Sequence, residues 1–174
     1  MIEEPVDRES IHRDLDQAVT VLHQLLADAS PTDLRRKTDG TRWSNEQLLF
    51  HMLFGYLVVR TLLPMVRAFA RLPPSVSEGL ARVLNASSAP FHVVNYLGSC
   101  GGALVFNRDR MGAQADRVVA GLHRRLDSES EADLRRGMHF PLRWDPYFQD
   151  WMTVADVYRY ATLHFDAHRE QLTL

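Results

Sequence analysis

Apolar residues recur at three- and four-residue spacing over four long stretches of this chain, and no convincing run alternates apolar and polar residues as a strand does. That periodicity restricts the chain to packed amphipathic helices. The first helix is predicted over residues 8–29, where Ile11, Leu15, Ala18, Leu22 and Leu25 form the apolar stripe and Asp14, Asp16 and Gln24 stand off it. Ser30-Pro31 ends it, and Asp39-Gly40 marks a turn. Ser44 with Gln47 three residues on is a capping box that opens the second helix, which carries Leu48, Leu49, His51, Met52, Leu53 and Tyr56. Pro64 is placed to kink it before Pro73-Pro74 stop it.

Residues 75–102 suggest two short helices, over 78–84 and 90–97, and Gly98-Ser99-Cys100-Gly101-Gly102 reads as a flexible hinge. A third long helix is expected over about 103–126. An irregular stretch with Pro141, Trp144, Asp145 and Pro146 then leads to a fourth, started by Thr153 with Asp156 and running to about Gln171. No internal repeat, low-complexity tract or linker is read. The 174 residues therefore suggest one all-α domain over 1–174: a four-helix bundle with additional short helices between helices 2 and 3.

Charge narrows the function classes. The formal net charge is −2, and Arg35-Arg36-Lys37 and Arg135-Arg136 sit beside acidic residues, so no basic stripe for nucleic acid is expected. Cys100 is the one cysteine, which excludes an internal disulfide and fits a reducing compartment. Met1-Ile2-Glu3-Glu4-Pro5 has no apolar leader character, and His51, Arg60 and Arg67 interrupt the longest apolar stretches. A cytoplasmic protein without a membrane span is the expectation. The cations are 19 arginines and one lysine, a skew that fits a GC-rich genome.

His164 and His168 lie four apart in the last predicted helix, so they project from one face and can chelate one ion. A zincin protease needs Glu directly after the first His. Phe165 holds that place, and Asp166 is rotated by about 200° from His164. His51 falls two turns after the Ser44 cap, inside an apolar run where a neutral imidazole needs a polar partner. A metal ion, a carbonyl or a water would each satisfy it. Three His on a divalent ion with an open fourth position is a catalytic pattern.

Trp43-Ser44, the run Gln47-Leu48-Leu49-Phe50-His51, the segment Trp151-Met152-Thr153-Val154-Ala155-Asp156 and the ending His164-Phe165-Asp166-Ala167-His168 with Gln171-Leu172 together resemble the DinB-like family. The resemblance implies a four-helix bundle with His51, His164 and His168 as ligands to a divalent metal, zinc or nickel. It also implies a thiol S-transferase using mycothiol, bacillithiol or glutathione, with a small electrophile as the other substrate. The arginine-rich composition favours mycothiol by association. The isomerase branch of the family carries a further C-terminal domain, whereas this chain stops six residues after His168, so maleylpyruvate isomerisation is not expected. Residues 71–102 match no family motif and are expected to shape substrate access. A homodimer is compatible with all of this.

Other residues compete for roles. Cys100 as nucleophile needs a base, and His92 is the nearest histidine in sequence. The glycines at 98–102 lack the Lys-Ser/Thr ending of a phosphate loop. Asp145, Tyr147 and Asp150 are placed to reach the open side of the metal, although turn formation explains Asp145-Pro146 as well. Tyr160, one turn before His164, either bonds a metal-bound water or packs in the core. His12, His23, His123 and His139 read as surface histidines, and Trp43, Trp144 and Trp151 as core plugs at segment starts. Three functions remain: a thiol transferase, a hydrolase on the same scaffold, and a non-catalytic metal-binding or stress-response protein.

Overall fold

Residues 8–36 align with residues 108–136 without a gap, and 11 of the 29 positions are identical. The computed structural model, which describes residues 4–174, turns that alignment into architecture. Helix α1 (Arg8–Asp28) and helix α6 (Arg108–Ser128) are both 21 residues long and lie against each other. Each is followed by a five-residue helix, α2 (Pro31–Arg35) and α7 (Glu131–Arg135). Ser30 and Ser130 cap these through the backbone N–H of Asp33 and Asp133. Leu34 and Leu134 anchor them in the core. The expectation of no repeat is thus corrected. The matching residues are buried in both halves: Leu22 with Leu122, Leu26 with Leu126, Ala18 with Val118.

The correspondence continues into the remaining two long helices. Helix α3 (Asn45–Phe69) starts at the Ser44–Gln47 capping box and helix α8 (Val154–Arg169) at the equivalent Thr153–Asp156 box, both as expected. The chain enters α3 through an isolated antiparallel bridge, Lys37 to Ser44. It enters α8 through a two-stranded sheet, β1 (Gly137–His139) paired antiparallel with β2 (Trp151–Thr153), Met138 opposite Met152. These short strands were not expected. They are too brief to show an alternating pattern, and Gly137 permits the pairing because a Cβ there would lie 2.6 Å from the Met152 carbonyl oxygen.

Between the halves run α4 (Pro74–Ala86) and α5 (Ser88–Val105). Two helices between the second and third long helices were expected, but the hinge at 98–102 was not found. These residues are helical, and the helix breaks instead at Phe106-Asn107, so the third long helix begins at Arg108 rather than near 103. Three glycines in five residues disfavour helix by roughly 1 kcal/mol each. Tertiary fit overrides that preference, because a methyl group at Gly102 would overlap the Phe50 ring and only glycine lets α5 close on α3. The outer face of α5 exposes Val93, Val94, Leu97, Leu104 and Val105, and the helix carries no charged side chain.

Helix α3 packs against α8, α5 and α6 and forms the centre of the bundle. Among the described residues it is also the one helix long and apolar enough to cross a membrane, despite the interruptions noted in its sequence. Leu48, Leu49, Met52, Leu53, Val59, Leu63 and Val66 lie at most 1% exposed, so a core position accounts for that character. The reading of residues 1–5 as lacking a leader falls mostly outside the described residues. The architecture is all-α: α1, α3, α6 and α8 form the four-helix bundle, and α4 and α5 are inserted between α3 and α6, α5 at 18 residues being longer than the 16-residue α8 rather than short as expected.

Candidate metal centre

Helices α3 and α8 bring His51, His164 and His168 together, as the spacing of the last two and the family resemblance imply, and one ligand nitrogen from each lies within 4.8 Å of the others. The ring centroids are 4.5–4.8 Å apart and the ring planes are tilted by 60–76° to one another, a pinwheel rather than a stack. The Nε2 atoms of His51 and His164 are 3.2 Å apart. Two nitrogens bound to one zinc at about 2.0–2.1 Å stand roughly 2.9 Å apart at a right angle and about 3.3 Å apart at the tetrahedral angle. The observed separation falls in that interval.

The protonation states suit a cation. Burial, then the neighbouring His168, pushes His51 down to about 3. Burial, then His51 and His168, holds His164 well below the ordinary histidine range, and burial lowers His168 as well. All three rings are therefore neutral near pH 7 and each keeps a lone pair.

Two ring nitrogens facing away from the cluster fix which lone pair that is. The Ser99 hydroxyl donates to the Asn95 carbonyl at 2.9 Å, so its oxygen accepts the Nδ1–H of His51 at 3.0 Å. The Gln171 Oε1 accepts the Nδ1–H of His168 at 2.7 Å. Both Nε2 lone pairs then face inward, the arrangement by which partners behind a ligand set its tautomer. His164 Nδ1 has no hydrogen-bond partner and lies against Gly55, where a Cβ would stand 2.8 Å away. Trp43 stacks on His51 with centroids 4.3 Å apart and meets His168 edge-on. The donor set fits a divalent transition metal: three neutral imidazoles, two of them buried and one half-buried, with His51 and His168 braced from behind.

Ser99 and Gly55 had no role in the sequence reading. Ser99 lies in the glycine-rich segment whose sequence reads as a hinge, and Gln171 lies in the C-terminal motif with no function evident from sequence. Replacing Ser99 with alanine is expected to weaken metal binding by about 10- to 100-fold, because His51 then loses the acceptor that fixes its tautomer. Competition against a chelator of known affinity measures this, and unchanged affinity would remove Ser99 from the site.

A family model described as the DinB superfamily matches residues 14–172. The chain belongs to the DinB superfamily. No curated protein and no solved structure matches it.

The remaining candidates in this DinB-superfamily chain separate cleanly. A cavity of about 240 Å³ opens beside His51 and His164, walled by residues that include Phe54, Phe91, Trp144 and Phe148. Asp145 lines it, accepts the Tyr160 hydroxyl at 2.8 Å, and places Oδ2 3.8 Å from His164 Nε2. Tyr160 therefore faces the site and the core at once. Tyr147 and Asp150 do not line the cavity; Asp150 instead pairs with His139 at 3.2 Å. Cys100 is absent from the wall, and His92 lies eight residues back along the same helix, roughly 12 Å by helical rise, too far to serve it as a base. Residues 71–102 contribute Leu84, Phe91 and Asn95, in line with a role in access. Trp43 is a core plug, whereas Trp144 is half-buried and lines the cavity instead, and Trp151 is 41% exposed on β2, because the short sheet and not the core takes up that segment start. Of the four presumed surface histidines only His23 is exposed.

Proposed function

We propose that this chain is a metal-dependent transferase: His51, His164 and His168 hold zinc or nickel, and a low-molecular-weight thiol, mycothiol first among them, attacks an electrophile seated in the adjoining cavity. The observation that carries the reading is the cavity wall, which is mostly apolar and aromatic, includes His51 and His164, and offers no cysteine, serine, threonine or lysine. A bound divalent ion would lower the pKa of a coordinated thiol so that thiolate exists at neutral pH. The nucleophile is then borrowed rather than built in.

Asp145 is the carboxylate on that wall and is placed to accept the thiol proton. Burial, then the charge of Asp145, raises the Tyr160 phenol far above its ordinary range, so Tyr160 stays protonated and holds the carboxylate oxygen in place. Phe91 and Trp144, stacked with centroids 3.9 Å apart, line the cavity with apolar surface that disfavours water as the competing nucleophile. In the reaction a carbon–sulfur bond forms while the leaving group departs with its electron pair, and the proton held at Asp145 passes to it or to solvent. The reducing cytoplasm, where such thiols stay reduced, is the setting this chemistry fits.

The test is consumption of mycothiol, bacillithiol or glutathione by the zinc- or nickel-loaded protein against a panel of apolar electrophiles. Turnover is expected to require thiol and metal together and to fall about 10²- to 10⁴-fold in Asp145→Asn, the usual range for a general base. Metal-dependent turnover without thiol would make the protein a hydrolase. Silence with and without thiol would leave a non-catalytic metal-binding protein.

A further inference from the structure

The repeat places a histidine–carboxylate pair at each end of the α1–α6 seam. His23 Nε2 lies 2.8 Å from Asp116 Oδ1, and His123 Nε2 lies 2.8 Å from Asp16 Oδ1, each residue 100 positions from its counterpart. The two ends then diverge. At the His23 end the next position toward the start of α6 is Gly112, where a Cβ would stand 2.6 Å from His23 Cε1. At the His123 end the equivalent residue is His12, whose ring stacks on His123 with centroids 4.8 Å apart and planes 17° from parallel.

His12 completes an arrangement that a surface ion pair does not need. Its Nε2 lies 3.0 Å from Asp127 Oδ1, while its Nδ1 faces His123 Nδ1 at 2.5 Å. Each helix thus supplies one imidazole and, four residues on, the carboxylate that orients the other helix's imidazole: His12 with Asp16, His123 with Asp127. A carboxylate on Nε2 fixes the Nε2–H tautomer and makes the ring a better ligand through Nδ1. The two Nδ1 atoms are thereby aimed at one point, where a shared proton or a metal ion fits. Parting the nitrogens by less than about 1 Å gives the separation of two ligands on one tetrahedral ion. The ring side chains are 28% and 22% exposed, so water can complete the coordination.

We propose that His12 and His123, braced by Asp127 and Asp16, form a second divalent transition-metal site that clips α1 to α6. Imidazole nitrogens with water suit zinc, nickel or copper rather than magnesium or calcium. The site stands apart from the three-histidine cluster and does not depend on that cluster's function.

Calorimetric titration of the metal-free full chain with Zn²⁺ alone, at pH 7.5, tests it. His12→Ala and His123→Ala are each expected to bind one equivalent fewer than wild type. His23→Ala, which removes the equivalent pair lacking a second imidazole, should match wild type. Asp127→Asn should keep the equivalent at about 10- to 100-fold weaker affinity. The readout is the difference from wild type, so it holds whether or not the three-histidine cluster binds zinc. Equal stoichiometry in wild type, His12→Ala and His123→Ala, with circular dichroism showing all three folded, would mean the rings share only a proton and would overturn the proposal.

Discussion

Substitution of His164 by alanine is expected to leave the protein folded but to abolish both metal retention at the three-histidine centre and the stabilisation that metal confers. His164 is the ring through which the cluster closes. Its Nε2 sits 3.2 Å from His51 Nε2, and it is 3% exposed, so its loss leaves an ion with only two imidazole ligands. An ion that binds only the native state stabilises it by about 4 kcal/mol when free metal stands 1,000-fold above its dissociation constant. For a chain of this size that corresponds to a melting shift of roughly 8–16 °C on adding metal. The shift is compared within each protein, with and without metal, so any change in metal-free stability drops out. Retention of the metal-dependent shift in His164→Ala, together with full occupancy by elemental analysis in a background also lacking His12, would exclude His164 as a ligand.

The legibility of this site followed from which interactions are local. His164 and His168 lie one helix turn apart, so spacing alone pairs them, whereas His51 joins them through its place after a capping box and through the family resemblance. Ser99 reaches His51 across 48 residues and from a segment whose glycines argue against helix; no local pattern announces it. The repeat was legible in principle, since Ser30, Asp33, Leu34, Arg35 and Arg36 recur at Ser130, Asp133, Leu134, Arg135 and Arg136. It escapes any reading that moves window by window, because the two copies are 100 residues apart. Once seen, it explains the site further. Superposing Ser44 on Thr153 sets His51 against Tyr160 and Gly55 against His164, so the centre occupies the place where the two halves differ. Gly55 makes room in one half for the imidazole contributed by the other.

Another departure from the repeat carries the second large effect. The residue after α1 is Ala29, whereas the residue after α6 is Glu129, whose side chain is fully buried and pairs with Arg67 of α3 at 2.9 Å. Burial raises the Glu129 carboxyl above its ordinary range, and Asp133 adds to this, while Arg67, Arg125 and Arg8 oppose it, Arg67 most strongly. Arg67→Ala removes the main opposing charge and strands a carboxylate in the core. A loss of about 3 kcal/mol is expected at pH 7.5, the lower end for breaking a buried pair because Arg67 is itself partly exposed. The sign with pH follows from the raised value: the folded state holds the Glu129 proton more tightly than the unfolded state does. That advantage is complete below the unfolded carboxyl range and is lost as pH rises through the folded value. The penalty of Arg67→Ala should therefore shrink as pH falls from 7.5 towards 4.5, and Arg67→Ala with Glu129→Gln should recover most of the loss at neutral pH. Urea denaturation at several pH values measures both. A penalty that stays constant with pH and survives the Glu129→Gln change would assign the cost to lost contacts of the arginine stem, and the buried charge would have no part in it.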